Sequence, residues 1–247
     1  VISSQKISVG PPFYHKLIAP FLIPFLFAMA IGPRLKWIRS DLKDKIYLIS
    51  LLIISILISF LIVKNFNTNI LINTVLISSA LYLFFITLRD FFNKKYKNFA
   101  QNTAHFGFSL LILSILFNNL FSSEIITNLK VGETYDNSKT KIVFESINQK
   151  TEKNYKSIIA NFNIINSEGI NDNLSPELRV YNQPNITTSE ADIKTTLMKD
   201  KFIVINLVQN QDYFNVRYQV KPFMLWIWLS VIMISLGGLV SFLQKRI

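Results

Sequence analysis

Two histidines and no cysteine among 247 residues leave this chain a narrow choice of chemistry. Disulfides, thiolate metal sites and cysteine nucleophiles are excluded together, and two histidines do not build a zinc site from one chain. His105 stands in Thr103-Ala104-His105-Phe106-Gly107-Phe108, inside an apolar run. Ionisable groups at membrane depth are costly and usually functional. A neutral imidazole there can hold a metal, haem iron included, through one nitrogen, while the other is fixed by a neighbour. The Gln101 carbonyl, one helical turn back, is such a neighbour. Ala104, Gly107 and Ser109 are small enough to admit a flat macrocycle. The competing reading is a histidine hydrogen-bonded to an adjacent helix, and the residue alone leaves both open. His15 follows Pro-Pro-Phe-Tyr beside another apolar run and reads as a solvated interfacial residue. The acids show no paired spacing. There is no glycine-rich phosphate loop, Ser-His-Asp arrangement or Walker pattern.

What must position His105 is a set of apolar segments. Five runs stand out, at Leu17–Ile31, Ile46–Val63, Ile70–Leu88, Phe99–Phe121 and Phe223–Leu243. A hydrocarbon core about 30 Å thick takes roughly 20 helical residues, which four runs supply outright and the first only if Phe13 and Tyr14 extend it. The fold class expected is therefore a polytopic α-helical membrane protein of about five helices. Cations set its orientation, because cytoplasmic loops collect Lys and Arg. Arg34, Lys36, Arg39, Lys43 and Lys45 follow the first run; Arg89, Lys94, Lys95 and Lys97 follow the third; Lys245 and Arg246 close the chain. Outside the large loop, the opposite side holds only Lys6, Lys16 and Lys64. The N-terminus is then outside and the C-terminus inside. The net charge of +11 is juxtamembrane, suited to anionic lipid, and is no nucleic-acid footprint, because residues 122–221 carry 12 basic and 12 acidic groups.

Three domains are expected: an outer segment with a four-helix membrane region over 1–121, an extracytoplasmic β-rich domain over 122–221, and a last helix with a basic tail over 222–247. Gly10-Pro11-Pro12 stiffens the entry to the first helix, and Pro20 and Pro24 inside it imply a kink against partners. Lys64–Asn69 is a tight hairpin. In the outer domain Lys141–Ile147, Ile158–Ile164 and Phe202–Val208 are strand-like. Tyr213–Val220 alternates, with Phe214, Val216, Tyr218 and Val220 on one face. Residues 210–212 are expected to turn between the last two. Thr188–Met198 is expected as a short helix capped by Ser189, with Glu190 and Asp192 in its first turn. Trp226 and Trp228 mark an interface, and Gly237-Gly238 permits close helix approach. The chain begins at Val1 without a signal-peptide pattern, and an outer N-terminus then implies an upstream part.

Four stretches resemble the C-terminal portion of the CcmF family, the haem-lyase subunit of cytochrome c maturation. They are Lys6-Ile-Ser-Val-Gly-Pro-Pro-Phe13, Ala104-His105-Phe-Gly107, Pro176-Glu-Leu-Arg-Val-Tyr181 with Thr187-Thr-Ser-Glu-Ala-Asp-Ile193, and Val220-Lys-Pro-Phe-Met-Leu-Trp-Ile-Trp228 with Gly237-Gly238. The resemblance implies attachment of haem to the Cys-x-x-Cys-His thiols of apocytochrome c on the outer side of the membrane. It implies a haem b among the helices with two axial histidines, of which His105 matches one, and it gives His15 no role. The second axial histidine, the two outer histidines that hold the delivered haem, and a tryptophan-rich motif belong to the upstream half. Implied partners are that half, the haem chaperone CcmE, CcmH-type subunits, apocytochrome c and the bilayer. The implied location is the bacterial inner membrane, with the mitochondrial inner membrane as the alternative. Two other functions compete: a non-catalytic scaffold docking maturation partners, and a transporter fragment. Transport predicts inverted repeats and polar groups at mid-membrane, and the runs hold mostly Ser and Asn with no second buried charge.

Overall fold

A computed structural model describes residues 11–34, 42–66, 69–92, 99–166, 169–208 and 212–244, the side chains of 11–16, 34 and 42–44 excepted. Within these bounds lie five α-helices: α1 (Pro11–Ile31), α2 (Leu42–Val63), α3 (Ile70–Phe92), α4 (Phe99–Phe121) and α5 (Met224–Gln244). Ten strands separate α4 from α5. The chain divides into two compact units, Phe117–Leu225 and the remainder.

The helical unit is built on sequences too apolar to face water. Four helices are long and apolar enough to cross a membrane: Lys45–Val63, Ile70–Phe92, Phe99–Phe121 and Met224–Gln244. In α1 the apolar stretch Leu17–Ile31 is shorter, although the helix itself runs 21 residues through Pro20 and Pro24. The chain is thus a polytopic helical protein with a β domain before its last helix. In a hydrocarbon environment every polar group must find a partner within the protein. The serines do so by bonding back along their helices: Ser55 Oγ donates to the Leu51 carbonyl at 2.8 Å and Ser79 Oγ to that of Leu76 at 2.7 Å. Ser59 Oγ reaches instead across the α2–α3 pair to the Thr74 carbonyl at 2.8 Å. The expected hairpin thus makes α2 and α3 neighbours; its residues 67 and 68 lie outside the described residues. At the other end of the pair the Arg89 guanidinium lies 4.0 Å above the Tyr47 ring. The cationic loops at 35–41 and 93–98 also lie outside the described residues.

The second unit is a sandwich of two antiparallel sheets. One orders β1 (Ser123–Leu129), β10 (Phe214–Pro222), β9 (Lys199–Leu207) and β8 (Asp192–Thr195). The other orders β2 (Thr134–Asp136), β3 (Thr140–Thr151), β4 (Tyr155–Asn166), β6 (Glu177–Tyr181) and β7 (Thr187–Glu190), with β5 (Asn171–Leu174) also on β4. Alternation decides what faces inward. Val216 and Tyr218 of β10 are buried with Phe214 and Val220 packed beside them, as their period of two predicts. Phe144 and Phe162 stack at the centre with rings 4.4 Å apart. Gly132 turns β1 into β2 at φ 87°, where a side chain would be strained.

One expectation fails. Thr188–Met198 forms no helix: Thr187–Glu190 pairs with β6 and Asp192–Thr195 with β9. The cap signal was local and the ladders outweigh it, helped by β-branched Thr187, Thr188, Ile193 and Thr195. Ser189 Oγ donates to Asn206 Oδ1 at 2.5 Å and caps nothing. The turn expected at 210–212 falls largely outside the described residues.

Candidate functional site

His105 lies six residues into α4, about 9 Å along the span at 1.5 Å per residue. The neighbours of α4 divide its circumference. One face meets α5 at backbone distance. A Cβ on Gly107 would come 3.0 Å from the Ser230 carbonyl oxygen and the Ile234 nitrogen, and one on Gly237 would come 2.7 Å from the Ala104 nitrogen. A second face meets α3. Phe106 stacks on Phe91 at 5.2 Å, Ser109 Oγ shares a 2.7 Å hydrogen bond with Thr87 Oγ1, and Asn102 Nδ2 donates to the Asp90 carbonyl at 3.0 Å. A third carries Phe108, whose edge meets Phe25 of α1 with ring centroids 6.0 Å apart.

His105 shares this third face, one turn before Phe108, and is half-buried. The small residues expected to admit a macrocycle are therefore committed elsewhere: Ala104 and Gly107 receive α5, and Ser109 bonds α3. That expectation is corrected, since an α5 backbone already fills the space that the absent side chains leave. Along the surface of α4 its neighbour one turn on is the aromatic Phe108. Phe25 also lines an apolar groove of about 600 Å³ with Leu17, Ile18, Phe21 and Leu22. The apolar run of α1 was legible in the sequence; the pairing of Phe25 with Phe108 was not. His15 falls in α1, and its side chain lies outside the described residues.

Among the described residues no three His, Cys, Asp or Glu gather as a metal cluster. The sandwich does hold a charged group that the sequence reading missed. Asp172 of β5 bonds Lys201 of β9 and, at 2.7 Å, Lys194 of β8. Burial pushes the Asp172 carboxyl up, but hydrogen bonds and charge from Lys194 and Lys201 outweigh it and hold the group below the usual range. Burial, and then the Asp172 charge, push the Tyr218 hydroxyl up to about 12. The signal was present in the register: Lys201 falls on the same face of β9 as inward Ile203 and Ile205. Asp172 and Lys201 are buried, whereas Lys194 reaches the shared carboxylate from a half-exposed position, so the group ties β5 to β8 and β9. On the outer side of β1, Glu124 accepts from Arg217 and from Gln219 Nε2 at 2.6 Å, which lowers its pKa.

Comparison with known proteins adds the family. Residues 120–222 match the family described as CcmF C-terminal beta-sandwich. The chain is 24% identical over 98% of its length to the cytochrome c-type biogenesis protein CcmF of Escherichia coli K12, and 23% identical over 99% to that of Pseudomonas fluorescens. The NrfE biogenesis protein of Haemophilus influenzae is 24% identical over 98% of the chain. The chain spans about two fifths of the length of these relatives, 39% in each case. Among solved structures, the cytochrome c haem lyase CcmF superposes with a TM-score of 0.71, at 18% identity, over 93% of this chain and 40% of that one, a likeness of fold. Residues 120–222 thus match the CcmF C-terminal β-sandwich, and the chain as a whole is similar, almost end to end, to about two fifths of the CcmF-type cytochrome c biogenesis proteins.

Proposed function

We propose that this chain works in cytochrome c maturation, as the C-terminal part of a haem lyase that attaches haem to the Cys-x-x-Cys-His thiols of apocytochrome c. The observation that carries the reading is His105: an imidazole inside a span, half-open, on the aromatic face of α4 and turned from the tightly packed α5 contact. Similarity along nearly the whole chain to cytochrome c-type biogenesis proteins supports it.

Among the described side chains, His105 is the one histidine that would hold a haem b. His105 would supply one nitrogen, and the second axial histidine would come from the upstream half of the protein. When bound, the haem supplies one-electron redox chemistry that keeps delivered haem iron reduced. The chain's own residues hold the imidazole in place. Phe106 is locked on Phe91, and Ser109 on Thr87, so α4 cannot rotate without breaking both contacts. The sandwich would lie outside the bacterial inner membrane and dock partners, with CcmE delivering haem and CcmH-type subunits presenting apocytochrome c. Residues 122–221 contain no His and no Cys, which favours docking over chemistry there.

The test is a pyridine haemochrome spectrum of the complex purified with its upstream half. His105→Ala should abolish b-type haem while the protein level in the membrane stays near wild type, since truncating one half-exposed ring leaves a small cavity. Undiminished haem in that variant would overturn the ligand assignment. A wild-type complex with no haem would instead support the scaffold reading.

A further inference from the structure

Three contacts fix the register of α3 against α4. Asn102 Nδ2 donates to the Asp90 carbonyl at 3.0 Å, Phe106 stacks on Phe91 at 5.2 Å, and Ser109 Oγ shares a hydrogen bond with Thr87 Oγ1 at 2.7 Å. Position 102 is thus level with 90 and position 109 with 87, so the two helices run antiparallel. His105 falls between these contacts. At about 100° per residue it stands roughly 60° round α4 from Asn102 and about 40° from Ser109, where the α3 face gives way to that of Phe108. Along the pair it is offset from the Asp90 backbone by three residues, about 4.5 Å.

Helical side chains lean toward the N-terminus of their own helix. On antiparallel helices that direction carries Asp90 toward the level of His105, and His105 toward the level of Asp90. The Asp90 charge acts on the His105 ring. Asp90 is the single carboxylate in residues 45–123. It stands in the last turn of α3, at the negative end of the helix dipole, where an acid is unfavourable unless a partner compensates it. The Gln101 carbonyl, the neighbour expected from sequence, already accepts the His105 amide in the α4 ladder.

We propose that Asp90 is a positioning residue for His105: its carboxylate accepts a hydrogen bond from the imidazole nitrogen that does not hold haem iron. This rests on the haem reading of His105. Such a bond fixes the tautomer and the orientation of the ring, and makes the other nitrogen a more basic ligand, which favours ferric over ferrous iron. Asp90 itself touches neither iron nor substrate.

The test uses the complex purified with its upstream half. Asp90→Asn should retain b-type haem within about twofold and raise its midpoint potential by about 59 mV, a tenfold change for one electron. Asp90→Glu keeps a carboxylate and should reverse most of that shift. The hydrogen bond is read apart from the charge in His105→Gly, whose cavity is filled with imidazole or with 1-methylimidazole, which has no N–H. With Asp90 in place, imidazole should bind at least about tenfold more tightly, the worth of a hydrogen bond to a charged acceptor. With Asp90→Leu added, the two should bind alike. Haem at an unchanged potential in Asp90→Asn overturns the proposal and leaves the haem reading standing. Equal binding of the two imidazoles with Asp90 present does the same. If Asp90→Asn loses its haem and Asp90→Glu fails to restore it, Asp90 is structural only and the proposal falls. A wild-type complex without haem overturns both.

Discussion

Asp172 and Lys201 form a buried ion pair that joins the two sheets of the sandwich, one from β5 and the other from β9. The side chains are 2% and 5% exposed, so neither charge is solvated by water to any extent, and each depends on the other. Asp172→Asn should leave the Lys201 ammonium uncompensated and cost about 3–5 kcal/mol, whereas Asp172→Leu with Lys201→Met should recover most of that loss. Thermal unfolding of the purified chain, followed by near-ultraviolet circular dichroism, separates the two outcomes.

The same pair sets a pH dependence. Lys194 and Lys201 hold the folded Asp172 carboxyl below its unfolded value, so its contribution is complete above the ordinary carboxylate pKa of about 4. It is lost as pH falls through the lower, folded value. Melting temperature should therefore drop on acidification below about pH 4, and the Asp172→Asn variant should show a smaller drop over that window.

Two adjacent glycines should behave differently. A Cβ on Gly237 would sit 2.7 Å from the Ala104 nitrogen and 2.8 Å from the Ala100 carbonyl oxygen, both backbone atoms that a rotamer change cannot move. Gly237→Ala should separate α4 from α5 and cost about 1–3 kcal/mol. A Cβ on Gly238 meets nothing within 4 Å, and Gly238→Ala should be neutral or stabilise by up to about 1 kcal/mol. Denaturation of each variant in lipid-detergent mixtures measures the contrast.

Orientation follows from the cations. Reporter fusions after Ser40 and Lys95 should read cytoplasmic, and fusions after Lys64 or within 150–200 should read external. An external signal at Ser40 would reverse the placement of the sandwich.

The sequence by itself determined the membrane class, the presence of a β-rich domain before the last helix and the inward face of β10. These depend on runs and periods, and burial of apolar surface is additive along the chain. Even His105 could be singled out, because an imidazole inside an apolar run is conspicuous at any fold. Tertiary structure alone decided what surrounds each residue. The small side chains at 104 and 107 looked available to a ligand, but α5 brings its backbone against them. Thr188–Met198 carried a helix cap, yet the open edges of β6 and β9 took it as two strands. Asp172 and Lys201, 29 positions apart, meet only because β5 and β9 belong to sheets that face each other. Helix caps and small-residue spacings are local signals. Which surface they meet is set by contacts between distant segments, and no local pattern encodes that.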